Sequence, residues 1–437
     1  MTVITDTIAA IATPAGTGGV GIIRISGKDS LSICQKLSGI KNPQPRKAYF
    51  AHFKNQQHQT IDSGLVLYFK DPASFTGEDV VELQGHGGHV VMHMLLKAVL
   101  SLGARMARPG EFSERAFLND KIDLVQAEAI ADVISSGSEQ AVLASQRALK
   151  GEFSTRINNI LELLIQTRIW VESAIDFPEE EIDFLADTQL REQMNQLNKT
   201  LTDTVRQTQT GVVLNQGISI AIVGKPNAGK SSLLNCLTQE NTAIISDVAG
   251  TTRDVVKEDI VLQGIPVRLL DTAGIHETDN PIEQQGIEKA LTIKEQADVV
   301  LHVVDGSQNL DFEIQSEKEI VVINKSDLID NQQQKEDWVY VSALTQNGIE
   351  ALIQTIVDKV TVATLNESTF TARKRHIKQL EITQTHVAEA EQQLTHNQGE
   401  LSAEELRLAQ NALSEITGEF SSDDLLGRIF SSFCIGK

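Results

Sequence analysis

The spacing of apolar positions changes period along the chain. Within residues 1–119, the runs Val20–Ser26, Leu65–Phe69 and Val80–Leu83 are bounded by Gly and Pro and predict strands. Val90–Leu102 predicts an amphipathic helix, so this stretch reads as α+β. From about residue 120 the period is helical: Leu149, Phe153, Ile157, Ile160 and Leu164 fall on one face, and Leu190, Met194, Leu197, Leu201 and Val205 repeat the pattern. Pro178 with Glu179, Glu180 and Glu181 predicts a solvated turn between them.

A third pattern follows. Ile218–Val223, Val267–Leu270, Val299–Val304, Ile320–Ile323 and Val339–Val341 are short apolar strands alternating with helical or loop stretches, which predicts βαβ units on a parallel sheet. Helices return after about residue 370, with Leu406, Ala409, Leu413 and Ile416 on one face and Ser402 with Glu405 as a capping box. Helices on both sides of an α/β unit predict that the unit is inserted into one helical domain. The expected domains are 1–119, then 120–212 plus 370–437 as a discontinuous helical domain, with 213–369 inserted.

Composition narrows the classes. At roughly 150 residues per domain, 437 residues fit about three domains. The 41% apolar and 22% charged content is that of a globular chain. With 38 basic and 59 acidic residues the net charge is −21, which excludes a nonspecific nucleic-acid coat protein; an RNA substrate needs a local basic patch or a partner. Cys34, Cys236 and Cys434 are far apart and form no C-x-x-C pair, which predicts a reducing, cytoplasmic setting. No signal peptide is read at the N-terminus, no run is long enough to span a bilayer, and no membrane association is expected. The ending Cys434-Ile435-Gly436-Lys437 fits a prenylation box poorly, because Gly436 is not aliphatic and Lys437 is not a usual last residue.

The strongest chemical signal is Gly224-Lys225-Pro226-Asn227-Ala228-Gly229-Lys230-Ser231, directly after a predicted strand. Its glycines let backbone N–H groups face phosphates, and the following helix adds its N-terminal dipole. Lys230 reaches the β- and γ-phosphates and Ser231 ligates Mg2+. Asp271-Thr272-Ala273-Gly274 ends a second strand, where an acid holds Mg2+ through water and the Gly274 N–H senses the γ-phosphate. Asn324-Lys325-Ser326-Asp327 ends a third, where a carboxylate accepts the N1–H and 2-amino hydrogens of guanine. Ser342-Ala343 can present a backbone N–H to guanine O6, and Gly250-Thr251-Thr252-Arg253-Asp254 is a candidate switch segment. Five elements in this order at strand ends predict a guanine-nucleotide domain. The residue after Asp271-Thr272-Ala273-Gly274 is Ile275, which cannot polarise water, so hydrolysis needs another group, for which the carboxylates Glu277, Asp279 and Glu283 further on are candidates, and no arginine finger is evident.

Asn227, the Gly-Thr-Thr-Arg-Asp segment, Gly-Glu-Phe-Ser-Glu-Arg-Ala-Phe at 110–117, Phe-Leu-Asn-Asp-Lys at 117–121 and the ending Phe-Cys-Ile-Gly-Lys resemble the MnmE (TrmE) family of tRNA-modification GTPases, within the TrmE-Era-EngA-YihA-Septin-like superfamily. The resemblance covers essentially the whole chain. It implies a multidomain protein: an α+β N-terminal tetrahydrofolate-binding and dimerisation domain, an all-α helical domain, and an inserted α/β P-loop (Ras-like) G domain. It implies a homodimer that, with an MnmG-like FAD-dependent flavoprotein in a heterotetramer, adds aminomethyl or carboxymethylaminomethyl groups to C5 of the tRNA wobble uridine. The one-carbon unit comes from 5,10-methylenetetrahydrofolate, for which 5-formyl-tetrahydrofolate is an analogue. GTP hydrolysis drives conformational change and depends on Mg2+ and K+.

Residue by residue, the resemblance implies K+ ligation by Asn227, Ser246, Thr251 and the Val248 carbonyl, and Mg2+ ligation by Ser231 and Thr252. Ser232, Asp247 and Ala249 complete the GTP contacts. Glu283 matches the glutamate that orients water, and Cys434 is a candidate nucleophile or a small buried residue. Arg24, Glu82, Lys121 and Lys437 match folate contacts, with Arg24 and Lys121 suited to the glutamate tail and Glu82 to the pterin's donor edge. The alternative function is a regulatory RNA-binding GTPase in ribosome assembly, which has no need of a folate site.

Three further features read as structural. His89 and His93 lack the Glu of a zinc motif, Gly85-His86-Gly87-Gly88 reads as a turn rather than a KH loop, and Cys236 reads as core.

Overall fold

The computed structural model describes residues 6–176, 188–241, 257–271, 294–308, 316–329, 335, 337–361, 369–419 and 423–436. The chain forms two compact units, residues 1–131 with 417–437, and residues 132–416.

The first unit is built on a six-stranded sheet. Its strands are β1 (Ile8–Ile11), β2 (Gly18–Ser26), β3 (Tyr49–Lys54), β4 (Thr60–Phe69), β5 (Val80–Gly87) and β6 (Arg105–Met106), in the order β3-β4-β5-β2-β1-β6. All pairs are antiparallel except β1 with β6. Each predicted strand is present, and β2, β4 and β5 extend beyond their apolar runs. In β5 the extension is Gln84-Gly85-His86-Gly87, so this glycine segment is strand rather than turn: Gly85 pairs with Gly21 and Gly87 with Gly18 across β2. Helices α1 (Ser30–Ser38) and α2 (His89–Leu100) join the apolar core, and α3 (Glu111–Leu118) and α4 (Leu124–Ser135) follow along the chain. Met92, Leu95, Leu96 and Val99 of α2 are buried at i, i+3, i+4 and i+7, the stripe that the sequence predicts. The helix Asp423–Ser431 belongs to this unit, because Ile429, Phe430 and Phe433 pack with Leu124 and Ala127.

The second unit joins helices to a second sheet. Helices α5 (Glu139–Leu149), α6 (Glu152–Asp176) and α7 (Thr188–Gln216) precede it. The first predicted helical face is split: Leu149 ends α5, Gly151 turns the chain at φ 87°, and Phe153, Ile157, Ile160 and Leu164 are fully buried on α6. The α7 stripe is buried as expected, and the predicted turn at 178–181 lies outside the described residues. The sheet order is β12-β11-β10-β7-β9-β8, with β7 (Ile218–Val223), β9 (Ile265–Asp271), β10 (Val299–Asp305), β11 (Glu319–Asn324) and β12 (Val339–Tyr340) parallel and β8 (Lys257–Leu262) antiparallel at the edge. The near-continuous apolar runs are explained by burial on both faces, and their C-terminal ends are where an open α/β sheet binds ligands.

The capping-box expectation fails. Ser402 lies inside the helix Gly399–Thr417 and is fully buried, while Glu405 accepts from His386 of the helix Lys374–Thr395 at 2.7 Å. Gly399 starts the helix earlier than the polar pattern implies.

Candidate functional site

The phosphate-loop motif follows β7 and leads into α8 (Lys230–Asn241), the strand–loop–helix order that the motif requires. Gly224 and Gly229 have φ of 151° and 90°. A Cβ on Gly224 would run into the Val303 carbonyl, and one on Gly229 into the Asn324 side chain, so the loop admits no larger residue at either point. Asn227 is left-handed at φ 64° and exposed. Lys230 Nζ donates to the Gly224 carbonyl at 2.8 Å and the Lys225 carbonyl at 3.1 Å, lying across the loop it would use to meet phosphate. Ser231 and Ser232 are exposed at the first turn of α8.

Asn324, at the end of β11, is buried and ties three motifs together. Its Nδ2 donates to the Ala228 carbonyl at 2.9 Å, and its Oδ1 accepts from the Ala343 N–H at 3.1 Å. Cys236 of α8 donates its thiol to the Ala343 carbonyl at 3.1 Å. Cys236 is therefore core, as expected, and also a clamp on the base loop. Of the Ser342-Ala343 pair, expected to present a backbone N–H to guanine O6, the Ala343 N–H donates to Asn324. Lys325 pairs with Asp305 at 2.6 Å, and Asp327 is exposed in the 3-10 turn Ser326–Leu328. Ser342 is buried, and its N–H donates to the Asn347 carbonyl at 2.9 Å.

Asp271 ends β9. Ser246, Asp247, Val248, Ala249, Gly250, Thr251, Thr252, Thr272, Ala273, Gly274, Glu283 and Lys437 lie outside the described residues.

In the first unit, Arg24 of β2 and Glu82 of β5 are direct cross-strand partners. Arg24 Nη2 and Nε donate to Glu82 Oε1 at 2.9 and 3.1 Å, and Nη1 donates to the Gly436 carbonyl at 3.3 Å. The sheet register thus brings together two residues expected at opposite ends of a ligand, and adds the C-terminal tail. Lys121 makes a different contact, from Nζ to the Pro72 carbonyl at 3.0 Å. Cys434 is exposed, and its carbonyl accepts from the Gly110 N–H at 3.3 Å.

The segment 110–117 has a structural explanation that sequence reasoning missed. Glu111 and Arg115 are both buried on α3 (Glu111–Leu118) and pair at 3.2 Å. Arg115 also holds Asp6 at 2.8 Å and Glu78 at 3.0 Å, while Glu111 binds Arg105 and the Arg108 N–H. Burial alone would raise the Glu111 carboxyl, but these donors outweigh it and hold the group below its ordinary value. The i, i+4 spacing of Glu111 and Arg115 was the available signal. The His89 and His93 rings lie with centroids 4.4 Å apart on α2, tilted by 58° to one another.

Residues 7–121 match the family model of the GTP-binding protein TrmE N-terminus, and residues 124–434 match that of the MnmE helical domain. The chain belongs to the MnmE family of tRNA modification GTPases. The MnmE of Hydrogenovibrio crunogenus is 49% identical over 446 residues, covering 99% of each chain. That of Francisella philomiragia subsp. philomiragia is 47% identical over 448 residues with the same coverage. As a member of the MnmE family the chain is a GTP hydrolase. Among solved structures, the G domain of the T. maritima FeoB iron transporter is 24% identical, covering 32% of this chain and 98% of that one, with a TM-score of 0.25. Among the described residues no helix is long and apolar enough to cross a membrane.

Proposed function

We propose that this protein couples GTP hydrolysis to modification of tRNA, adding aminomethyl or carboxymethylaminomethyl groups to C5 of the wobble uridine with a one-carbon unit from 5,10-methylenetetrahydrofolate. It would act as a homodimer with an MnmG-like FAD-dependent flavoprotein, in a heterotetramer in the cytoplasm. The observation that supports this most directly is full-length similarity to MnmE proteins together with a phosphate loop and a guanine motif joined through Asn324.

In the G domain, the loop N–H groups and Lys230 hold the phosphates, and Asp327 accepts from the guanine edge. Buried Asn324 keeps the two halves of that pocket in register. Ser231 with Thr252 would hold Mg2+; Asn227 with Ser246, Thr251 and the Val248 carbonyl would hold K+. The exposed Asn227 amide and Ser231 hydroxyl fit these roles, being oxygen ligands within and directly after the phosphate loop. When bound, these ions supply positive charge beside the phosphates, the work of an arginine finger. Glu283 would orient the attacking water.

In the N-terminal unit, the partly buried Arg24–Glu82 pair beside the tail offers a cation, a carboxylate and a backbone carbonyl in one place. That donor set fits a folate, whose carboxylates and pterin amino group need both signs. Lys121, Lys437 and Cys434 would complete this site. The sequence keeps the phosphate motifs and the folate residues apart, so GTP would drive motion rather than supply a reacting group.

Nucleoside analysis of tRNA from cells lacking the protein tests the reading. Loss of the C5-modified wobble uridine is expected, and an unchanged nucleoside profile would overturn it.

A further inference from the structure

Strand β10 ends on Asp305, directly opposite Asn324 in the parallel register with β11. The Asp305 carboxylate is nearly buried. Its Oδ2 accepts from Lys325 Nζ at 2.6 Å, and its Oδ1 accepts from the Ser307 N–H at 3.0 Å and the Ser307 hydroxyl at 2.7 Å. A second tie runs beside it, from the Gly306 N–H to the Asn324 carbonyl at 2.8 Å. The loop after β10 is thus fastened to the loop after β11 by one backbone bond and one ion pair.

What this fastens is the guanine-reading turn. Lys325 is left-handed, at φ 59° and ψ 38°, and starts the 3-10 turn Ser326–Leu328. A lysine keeps that backbone only where neighbours enforce it. On one side the turn is held by the Ser326 N–H donating to the Val341 carbonyl at 3.0 Å. On the other side the Lys325–Asp305 pair holds it. Asp327, in the middle of the turn, is exposed, so its aim is set by the backbone that carries it.

We propose that Asp305 is a specificity-determining positioning residue: through Lys325 it fixes the turn that presents Asp327, and so sets how strongly guanine is preferred over hypoxanthine. This rests on the guanine-nucleotide reading above. A carboxylate that accepts from both N1–H and the 2-amino group needs its two oxygens in line with the base edge. If the turn rotates, one of the two bonds is lost. Hypoxanthine offers only N1–H, so a loosened turn costs the guanine nucleotide more than the hypoxanthine one.

The test is to measure dissociation constants of GDP and IDP on the full chain by calorimetry. The wild type should prefer GDP by about tenfold, the equivalent of one hydrogen bond. Asp305→Asn should lower the GDP-to-IDP preference severalfold, mainly through weaker GDP binding. Lys325→Met removes the other end of the pair at a partly exposed residue, so it carries the same test should Asp305→Asn fail to fold. Its preference should fall likewise, and the double variant should fall no further. An unchanged preference, including equal losses for GDP and IDP, would overturn the proposal. A wild-type protein that binds ADP as well as GDP would instead overturn the guanine reading beneath it.

Discussion

Asn324 donates to the Ala228 carbonyl across 2.9 Å, joining the guanine motif to the phosphate loop through one buried amide. The same side chain receives the Ala343 N–H at 3.1 Å. Asn324→Ala leaves the buried Ala228 carbonyl and the partly buried Ala343 N–H without this partner, the carbonyl at about 1–3 kcal/mol and the N–H at less. A lower melting temperature and weaker binding of GDP are expected together. A variant with wild-type melting and GDP affinity would show that the bridge is idle.

Asp327→Asn should weaken GTP binding by about 1–3 kcal/mol, because the amide presents a donor to a donor edge. Xanthosine triphosphate should recover part of the loss, since its 2-oxo group accepts where the 2-amino group donates. Competition binding with both nucleotides decides the assignment.

Hydrolysis should run faster in K+ than in Na+, because the smaller ion cannot reach all the oxygens of a site built from an amide, hydroxyls, a carbonyl and phosphates. Asn227→Ala should remove the difference. Equal wild-type rates in KCl and NaCl would sink the K+ assignment.

Glu111→Gln should destabilise the N-terminal unit by on the order of 3 kcal/mol, because Arg115 then stays buried with less compensating charge. The carboxyl is held below its ordinary value in the folded protein. Its stabilisation is therefore present above the unfolded pKa of about 4 and is lost as pH falls through the folded value. Acid melting curves should be steeper for the wild type than for Glu111→Gln below about pH 4; parallel curves would contradict the linkage.

Two substitutions should separate the chemistries. Glu283→Ala is expected to keep GTP and folate binding, yet lose fast hydrolysis and tRNA modification, because Ile275 cannot orient water. Arg24→Ala is expected to hydrolyse GTP normally, bind 5-formyl-tetrahydrofolate weakly and modify no tRNA. A Glu283→Ala protein that cannot hydrolyse GTP but modifies tRNA at the wild-type rate would refute coupling.

The residues 224–231 and 324–327 alone determined that the inserted part is a nucleotide domain, because phosphate and guanine recognition depend on local loop chemistry at fixed spacing. Periodicity likewise sufficed for the α7 stripe and the β7, β10 and β11 runs, since burial acts position by position. Other features needed the tertiary structure. The Arg24–Glu82 pair depends on the β2–β5 register, which no run of residues within either strand encodes. Gly85 and Gly87 read as a turn and are strand: a Cβ on Gly87 would meet the β2 backbone at Gly18 and Val20, and one on Gly85 the Asp62 carboxylate. Ser402 and Glu405 looked like a cap, yet Glu405 reaches across to His386 on a neighbouring helix. Asn324, Asp305 and Cys236 act between segments distant in sequence, and long-range pairing of this kind comes into being only when the sheet assembles.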